Sequence, residues 1–319
     1  MNRTITKETR DRYMRVVVNL RKQAAYDYNK IPEEITVRLL CRYLIDKHRK
    51  LTASTWRSYR AAVFHVYGSG MERSTIEILN QIPGGGKKPD IEPYGASKKM
   101  KSFPSAMLSE TLRYLSTHQT KIGNALWLWL TVGIETGLRP FEWFDAELTD
   151  IGGTPFLRVK NAKNTNGRAN GDYRHLNLES MSPTDIRYIK THLQVVHAIK
   201  MSAGGDDLLS RKKYNSYYSS CRRRLNIVVR RLWPNREKYP TLYSLRHQFI
   251  ANAKADGFTL EEIAALCGQA SAQTSAVHYG RKQNGSKGKI AVTPRKEEVL
   301  TVRQGNEFSH RNPTDQIKE

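Results

Sequence analysis

The chain has 319 residues, a length that suggests about two domains, and a formal net charge of +23. Such a positive excess favours a polyanionic partner, because a protein that neutralises phosphates releases their condensed counterions. No apolar run reaches the roughly 20 residues that a membrane span needs, and the N-terminus lacks the pattern of a secretory signal. The three cysteines lie far apart, which excludes a disulfide framework and a CxxC-type zinc site. We therefore expect a cytoplasmic chain that binds nucleic acid and no membrane.

Residues 1–82 are predicted to form a small helical domain. Apolar residues recur at helical spacing in three segments, and the third segment begins at Thr52 or Ser54 as its N-cap. Arg57 and Arg60 lie on the opposite face of that third helix from its apolar residues. We predict that this face binds DNA.

Residues 83–103 interrupt the helical pattern. Glycine, proline and lysine dominate there without any apolar period, which is typical of a linker over the surface. Lys87 and Lys88 could follow a phosphate backbone. A linker that is merely solvated is the alternative, and the sequence favours neither interpretation.

Residues 104–282 are predicted to form a second, mixed domain. Strand-like runs on both sides of an Asn- and Gly-rich turn predict one β-hairpin within about 155–179. The remaining segments have helical periodicity. The predicted helices are 105–118, 122–135, one that begins at Pro183, 211–232, 242–255 and 259–267. The fold class is thus mainly α with a small β-hairpin or sheet (α+β), and the polar segment 283–319 is predicted to be a C-terminal tail.

Four segments carry residues suited to chemistry on a phosphodiester. Arg139 follows a helix end in TGLR, and Arg246 lies in the SLRH motif. Two arginines and a lysine would neutralise the charge that develops on the non-bridging oxygens, since a guanidinium donates two parallel hydrogen bonds to a phosphate. Tyr279 could attack the phosphorus as a covalent nucleophile, and a lysine could protonate the leaving 5′-oxygen.

With these motifs in this order, the sequence resembles the tyrosine recombinase, or phage integrase, family over about residues 105–282. The N-terminal helices resemble the core-binding domain of that family more loosely. The resemblance implies that Arg139 and Arg246 bind the scissile phosphate and that Tyr279 is the nucleophile. It also implies a catalytic lysine in the hairpin turn, which is Lys163, with Lys160 as the second candidate.

Two positions depart from the family pattern. Tyr243 and Gln269 stand where the family usually has histidines (or a tryptophan at the second position). Both can donate a hydrogen bond to a phosphate oxygen, but a tyrosine with a pKa near 10 is a poor general base near neutral pH. His247 or His278 could take over part of the proton transfer. Two of the predicted catalytic residues also have a purely structural alternative. Arg139 could neutralise the carbonyls of a helix end or pair with Glu142, and Lys163 could be a solvated residue of the turn.

The segment 211–231 is predicted to be the main basic surface. It lacks the acidic residues that would balance a solvated helix face, so DNA contact is favoured. Tyr214, Tyr217 and Tyr218 lie among these charges and could hydrogen-bond phosphate or sugar. The arginines predicted to bind DNA are Arg211, Arg222, Arg223 and Arg224.

The resemblance implies a site-specific recombinase that cuts and rejoins double-stranded DNA through a 3′-phosphotyrosine. Such an enzyme needs no cofactor, because the phosphotyrosyl bond conserves the energy of the broken ester without metal or ATP. A homotetramer on two DNA sites is expected, in the cytoplasm and associated with the nucleoid, and its gene would belong to a mobile element. Accessory DNA-bending proteins are possible further partners. The tail could dock on a neighbouring protomer or be disordered.

Two other functions remain open from the sequence. A catalytically weakened relative could act as an architectural or regulatory DNA-binding protein, as the substitutions at Tyr243 and Gln269 suggest. A basic RNA- or ribosome-binding protein is suggested by charge alone.

Overall fold

The computed structural model describes residues 5–82, 99–162, 164, 169–278 and 280–304; at residues 275, 277 and 278 it describes the backbone only. The chain divides into two compact units, Met1–Ser97 and Lys98–Glu319. Lys87, Lys88, Lys163 and Tyr279 lie outside the described residues.

The described part of the first unit is helical. Threonine side chains begin three of its helices, since Thr6, Thr36 and Thr52 each accept a hydrogen bond from a backbone amide three residues later. Thr52 is therefore the N-cap of the third helix. Within residues 5–82 the helices are α1 (Lys7–Asp27), α2 (Val37–Lys47), α3 (Ala53–Tyr67) and α4 (Arg73–Asn80). Their apolar faces meet in a core around Leu40, Leu44 and Trp56.

The second unit is built around one apolar helix. Its described helices are α5 (Ser105–Thr117), α6 (Lys121–Thr136), α7 (Pro183–Met201), α8 (Asp207–Leu232), α9 (Ser244–Ala255), α10 (Leu260–Leu266), α11 (Ala272–His278) and α12 (Lys296–Leu300). Helix α6 packs against α5, α7, α8 and α9. Leu126, Trp129 and Leu130 of α6 are buried, so burial of apolar area around this helix stabilises the unit.

The strands of the second unit form one antiparallel sheet in the order β1-β2-β3-β4. Their bounds are β1 (Glu147–Ile151), β2 (Thr154–Lys160), β3 (Tyr173–Asn177) and β4 (Thr293–Pro294). Strands β2 and β3 are the predicted hairpin, and Leu157 faces Leu176 across it. The expected class, mainly helical with a small sheet, is confirmed, but the sheet has four described strands where the sequence predicts two.

One buried histidine of α7 lies between two tryptophans. The ring of His192 is 5.2 Å from that of Trp129 and 4.7 Å from that of Trp143. Neither ring nitrogen of His192 has a hydrogen-bond partner among the described residues. Burial lowers the pKa of His192 to about 3, so the imidazole is neutral at physiological pH.

Two segments differ from their predicted roles. Residues 99–103 of the predicted linker belong to the second unit, because the Met100 amide donates to the Tyr239 carbonyl at 2.8 Å and Phe103 is buried. The predicted tail is also packed on the second unit as far as residue 304. The His175 Nδ1 lies 2.6 Å from the Glu298 carboxylate, and Val292 is fully buried. Residues 305–319 lie outside the described residues.

A row of polar side chains on α9 holds the start of this segment. Gln248 Nε2 donates to the backbone carbonyl of Asn284 at 2.7 Å, and Asn252 Oδ1 accepts from the backbone amide of Ser286 at 3.0 Å. The Asp256 carboxylate accepts from the consecutive backbone amides 288–290. These side chains are spaced four residues apart and therefore share one face of α9.

Candidate functional site

The site begins where α6 ends. Gly137 has a φ of +63°, and its amide donates to the Gly133 carbonyl at 3.1 Å, so it ends the helix in the left-handed conformation. A Cβ at Gly137 would also overlap the ring of Phe249. Only glycine meets both requirements, and the turn it makes directs the next arginine toward the interior.

That arginine, Arg139, is bound to Glu142 of the following 3-10 turn. Its backbone amide donates to Glu142 Oε2 at 2.7 Å, and its Nη1 donates to Oε1 at 2.6 Å. The side chain of Glu142 is fully buried, whereas that of Arg139 keeps 11% of its surface exposed. Arg139 is therefore oriented by a buried carboxylate, and its side chain keeps a small exposed fraction.

Arg246 reaches the same carboxylate from the first turn of α9. Its Nη1 lies 3.6 Å from Glu142 Oε2 and donates to the Gly137 carbonyl at 3.0 Å, and its Nη2 donates to the Cys267 carbonyl at 2.6 Å. The side chain of Arg246 is fully buried. The two arginines that are 107 positions apart in the sequence thus meet at Glu142.

A third arginine, which the sequence motifs do not indicate, completes this cluster. Arg174 of β3 is buried, with Nη2 2.8 Å and Nη1 3.3 Å from the Glu142 carboxylate oxygens. Its Nη1 also donates to Asn161 Oδ1 at 2.6 Å, and its Nε donates to the Leu266 carbonyl at 2.7 Å. The sequence holds one signal for this role. Arg174 lies two positions before Leu176 in a predicted strand, so both side chains share the buried face of β3.

The electrostatic balance of the arginine cluster (Arg139, Glu142, Arg174 and Arg246) is positive. Burial alone would raise the pKa of Glu142, but Arg174, Arg246 and Arg139 overcome that effect and hold it well below its usual range. Glu142 is therefore ionised at physiological pH. Three guanidinium charges against one carboxylate leave an excess of two positive charges, and a poorly solvated excess of this kind attracts anions.

The turn after α10 fits closely against the arginine cluster. Gly268 has a φ of +57°, and a Cβ there would overlap the side chain of Asn161 and approach Arg174 Nη1 to 2.9 Å. Two carbonyls at the end of α10, those of Leu266 and Cys267, accept from Arg174 and Arg246. The arginines thus satisfy helix-end acceptors that would otherwise be buried without a partner.

The two positions that depart from the family pattern lie next to the arginine cluster in the sequence: Gln269 follows the turn after α10, and Tyr243 precedes α9. Gln269 is buried, and its backbone amide donates to the Ala264 carbonyl at 2.8 Å. Tyr243 immediately precedes α9, and its ring centroid lies 5.4 Å from that of His247. Burial, together with the charges of Lys101 and Arg246, lowers the pKa of His247 to about 4. His247 is therefore a neutral imidazole near pH 7.

The residue that follows the predicted nucleophile is held against α9. The Gly280 carbonyl accepts from Lys254 Nζ at 2.9 Å. A Cβ at Gly280 would overlap the His247 carbonyl and approach the Ala251 Cβ to 2.8 Å. Gly280 is thus in close contact with the helix that carries Arg246. Lys160, the second candidate lysine, is exposed at the end of β2.

The predicted basic surface is only partly as expected. Arg222 and Arg223 are exposed on α8, and Arg224 is half-buried. Arg211 pairs with Asp207 at 3.0 Å and lies 3.7 Å from Asp145. These residues form an exposed cationic surface on α8, although intramolecular carboxylates already bind the guanidinium of Arg211.

The prediction for the tyrosines of α8 is wrong for two of them. Tyr214 is buried and its hydroxyl donates to the Pro140 carbonyl. Tyr217 stacks on Trp129 with the ring centroids 5.3 Å apart, and burial raises the pKa of its phenol. The reason is helical spacing, because positions three and seven residues apart share the face that packs on the core. Tyr218 is half-buried and packs on Phe141.

In the first unit, the two predicted DNA-binding arginines of α3 have different surroundings. Arg57 is exposed, and its Nε donates to the Ala53 carbonyl of its own helix at 3.2 Å. Arg60 donates to Asn80 Oδ1 at 2.5 Å and stacks over the Phe64 ring. Arg57 is therefore more accessible to a ligand, while Arg60 also joins α3 to α4.

Comparison with solved structures finds site-specific recombinases and an integrase. One match is XerH bound to palindromic difH substrate in a post-cleavage complex (15% identity, 81% of this chain and 74% of that chain, TM-score 0.45). Another match is XerA recombinase (18% identity, 86% of this chain and 88% of that chain, TM-score 0.37). A third is the Tn1549 transposon integrase in complex with transposon right end DNA (14% identity, 89% of this chain and 92% of that chain, TM-score 0.45). At these identities and TM-scores the likeness carries no conclusion about the function of this chain.

No family model and no curated protein matches the chain. Among the described residues, no helix is long and apolar enough to cross a membrane. The function must therefore be inferred from the residues of the site.

Proposed function

We propose that this protein is a site-specific DNA recombinase that cuts and rejoins DNA through a 3′-phosphotyrosine on Tyr279. The arginine cluster carries the proposal. Arg139 and Arg246, which the motifs single out independently of each other, both lie at the carboxylate of Glu142. The excess of two positive charges suits a phosphodiester, which carries one negative charge in the ground state and a second in the transition state.

In the proposed cleavage step, the Tyr279 oxygen attacks the scissile phosphorus and the bond from phosphorus to the 5′-oxygen breaks. The phenol proton passes to solvent or to a neighbouring base, and Lys163 donates a proton to the departing 5′-oxygen. A free 5′-hydroxyl of the partner strand then attacks the phosphotyrosine and releases the phenol. One ester is exchanged for another in each step, so the reaction needs neither metal nor ATP.

Binding would rely on the basic surfaces rather than on the arginine cluster alone. The exposed arginines 222 and 223 on α8, and Arg57 on α3, are available to neutralise DNA phosphates. Four protomers on two DNA sites would bring together the four strands that are exchanged. Integration or excision of a mobile element would be the outcome.

A covalent-trapping experiment tests the proposal. A nicked suicide duplex that carries the natural target should form a protein–DNA adduct in the presence of EDTA and without ATP. Tyr279→Phe removes one oxygen and should abolish the adduct while DNA binding persists. Tyr173→Phe, at an exposed tyrosine of β3, is the matched control and should react like the wild type. An adduct with Tyr279→Phe would refute the assignment of the nucleophile.

A second candidate function is DNA binding without efficient cleavage. It is favoured by the absence of a histidine at Tyr243 and Gln269 and by the lowered pKa of His247, which leaves that imidazole a weak base. This candidate predicts the same DNA affinity with no adduct from the wild-type chain at any pH.

A further inference from the structure

Arg174 uses the Glu142 carboxylate differently from the other two arginines. It is the arginine whose two terminal nitrogens both bind the carboxylate, at 2.8 and 3.3 Å, among the contacts described. Arg139 uses one side-chain nitrogen and its backbone amide, and Arg246 approaches only to 3.6 Å. A fork of two parallel hydrogen bonds fixes the plane of a carboxylate.

We propose that Arg174 is a positioning residue for the DNA cleavage proposed above, and that it acts through Glu142 without touching the substrate. Arg174 is 1% exposed, and its other hydrogen bonds go to Asn161 and to the Leu266 carbonyl inside the protein. By fixing the Glu142 carboxylate, it fixes both the backbone and the guanidinium of Arg139.

The charge of the arginine cluster supports this role. With Arg174 present, the carboxylate of Glu142 is balanced and the charges of Arg139 and Arg246 remain in excess. Without Arg174, the same carboxylate would neutralise one of those two charges, and the excess would fall from two to one. Arg174 therefore keeps the net charge that the arginine cluster presents to an anion at two instead of one.

Arg174 also joins the parts of the second unit that carry the remaining predicted residues. Asn161 follows Lys160, the last residue of β2, and Asn161 Nδ2 donates to the backbone carbonyl of Asn170, shortly before β3, at 2.7 Å. Leu266 and Gly268 belong to the turn that leads to Gln269. A change at Arg174 would therefore reach the hairpin turn and the Gln269 turn together.

The test compares Arg174→Met with the double variant that also carries Glu142→Gln. The double variant removes one positive and one negative charge and restores the excess of two. We expect Arg174→Met to lower the single-turnover adduct rate at saturating DNA by about 10- to 100-fold, as for other residues that orient a catalytic group. DNA affinity should change little. The double variant should not recover the lost rate, because the side-chain amide in Glu142→Gln cannot accept from both the backbone amide and the guanidinium of Arg139. Arg158→Met, at a half-buried arginine of β2 paired with Glu147 outside the arginine cluster, is the matched control.

A second readout does not depend on cleavage. Inorganic sulfate should raise the melting temperature of the wild type and of Arg158→Met more than that of Arg174→Met, because an anion stabilises the folded state that binds it. The double variant should regain the sulfate effect. Arg174→Lys, which keeps the charge without the fork, should fold and retain the sulfate effect even if Arg174→Met does not fold.

The outcomes separate the two proposals. If the wild type forms no adduct but the sulfate effect follows the order above, the proposed cleavage fails, whereas the effect of Arg174 on anion binding by the arginine cluster stands. If the double variant recovers the cleavage rate, Arg174 acts by charge alone and the positioning role is overturned. If the double variant does not regain the sulfate effect, Arg174 is a structural residue and the inference is overturned as well. Loss of the sulfate effect in a folded Arg174→Lys variant would overturn the charge argument.

Discussion

The buried imidazole of His192 predicts that the second unit loses stability in mild acid. The pKa of His192 is about 3 in the folded chain, where burial penalises the charged form, and about 6.5 in an unfolded chain. The contribution of His192 to the free energy of unfolding is therefore fully present above about pH 6.5. It is lost as the pH falls toward 3, because only the unfolded state binds the proton readily. At about 1.4 kcal/mol per pH unit, the loss reaches about 2 kcal/mol at pH 5.

The substitution His192→Leu tests this magnitude. Leucine has a similar volume and no ionisable group, so it should remove this acid sensitivity. It also removes two buried nitrogens that have no partner among the described residues, each of which costs about 1–3 kcal/mol, and it loses ring contacts with Trp129 and Trp143. These effects oppose each other and are the same at any pH, so the difference between two pH values isolates the imidazole.

Urea denaturation followed by tryptophan fluorescence at about pH 8 and about pH 5 measures the effect. The advantage of His192→Leu over the wild type should be about 2 kcal/mol larger at the lower pH. His197→Leu, at an exposed position of the same helix, should leave the pH dependence of the wild type unchanged. An equal difference at both pH values would refute the reasoning about His192.

Three further predictions concern DNA. Arg139→Lys and Arg246→Lys should each lower the single-turnover adduct rate by about 10²- to 10³-fold, since an ammonium cannot replace a bidentate guanidinium; a folded lysine variant with full activity would contradict the phosphate role. Because burial lowers the pKa of His247 to about 4, its imidazole is a weak base, and the adduct rate should rise by about tenfold per pH unit between about pH 6 and 9, as expected of an unassisted phenol; a plateau near pH 6.5–7 would point to another imidazole. Replacing arginines 222–224 with glutamine should reduce the log–log salt slope of DNA binding by about 0.9 for each phosphate that the variant no longer neutralises, whereas an unchanged slope would move the DNA-binding surface away from α8.

The sequence predicts best where a local signal is sufficient. Pro183 is the first residue of α7, with Ser182 as its N-cap, because proline fits the first helical turn and serine satisfies an exposed amide. Gly137 ends α6 as the TGLR motif indicates. The hairpin of β2 and β3 follows from two strand-like runs around an Asn- and Gly-rich turn.

The sequence predicts poorly where long-range contacts decide. Strand β1 has the pattern Glu-Leu-Thr-Asp-Ile with little apolar content, and it forms because β2 pairs with it. Strand β4 has two residues and depends on the edge of β3. The role of Arg174 also requires tertiary structure, because Glu142 and Leu266 are far from it in the chain. The prediction for the tyrosines of α8 fails because it rests on charge and neglects the helical period that directs Tyr214 inward.

The segment that returns along α9 has a consequence for the order of folding. During synthesis, residues 280–304 emerge after the helices and strands that they complete, so β3 has an open edge and Asp256 lacks its three amide partners until then. Contacts that join distant parts of a chain form slowly, and an open strand edge can pair with other chains while it waits. The first unit, whose described contacts are local and helical, can fold early on the ribosome. A nascent chain that stops before residue 290 would already carry Arg139, Arg246 and Tyr279, but on a second unit that has not closed.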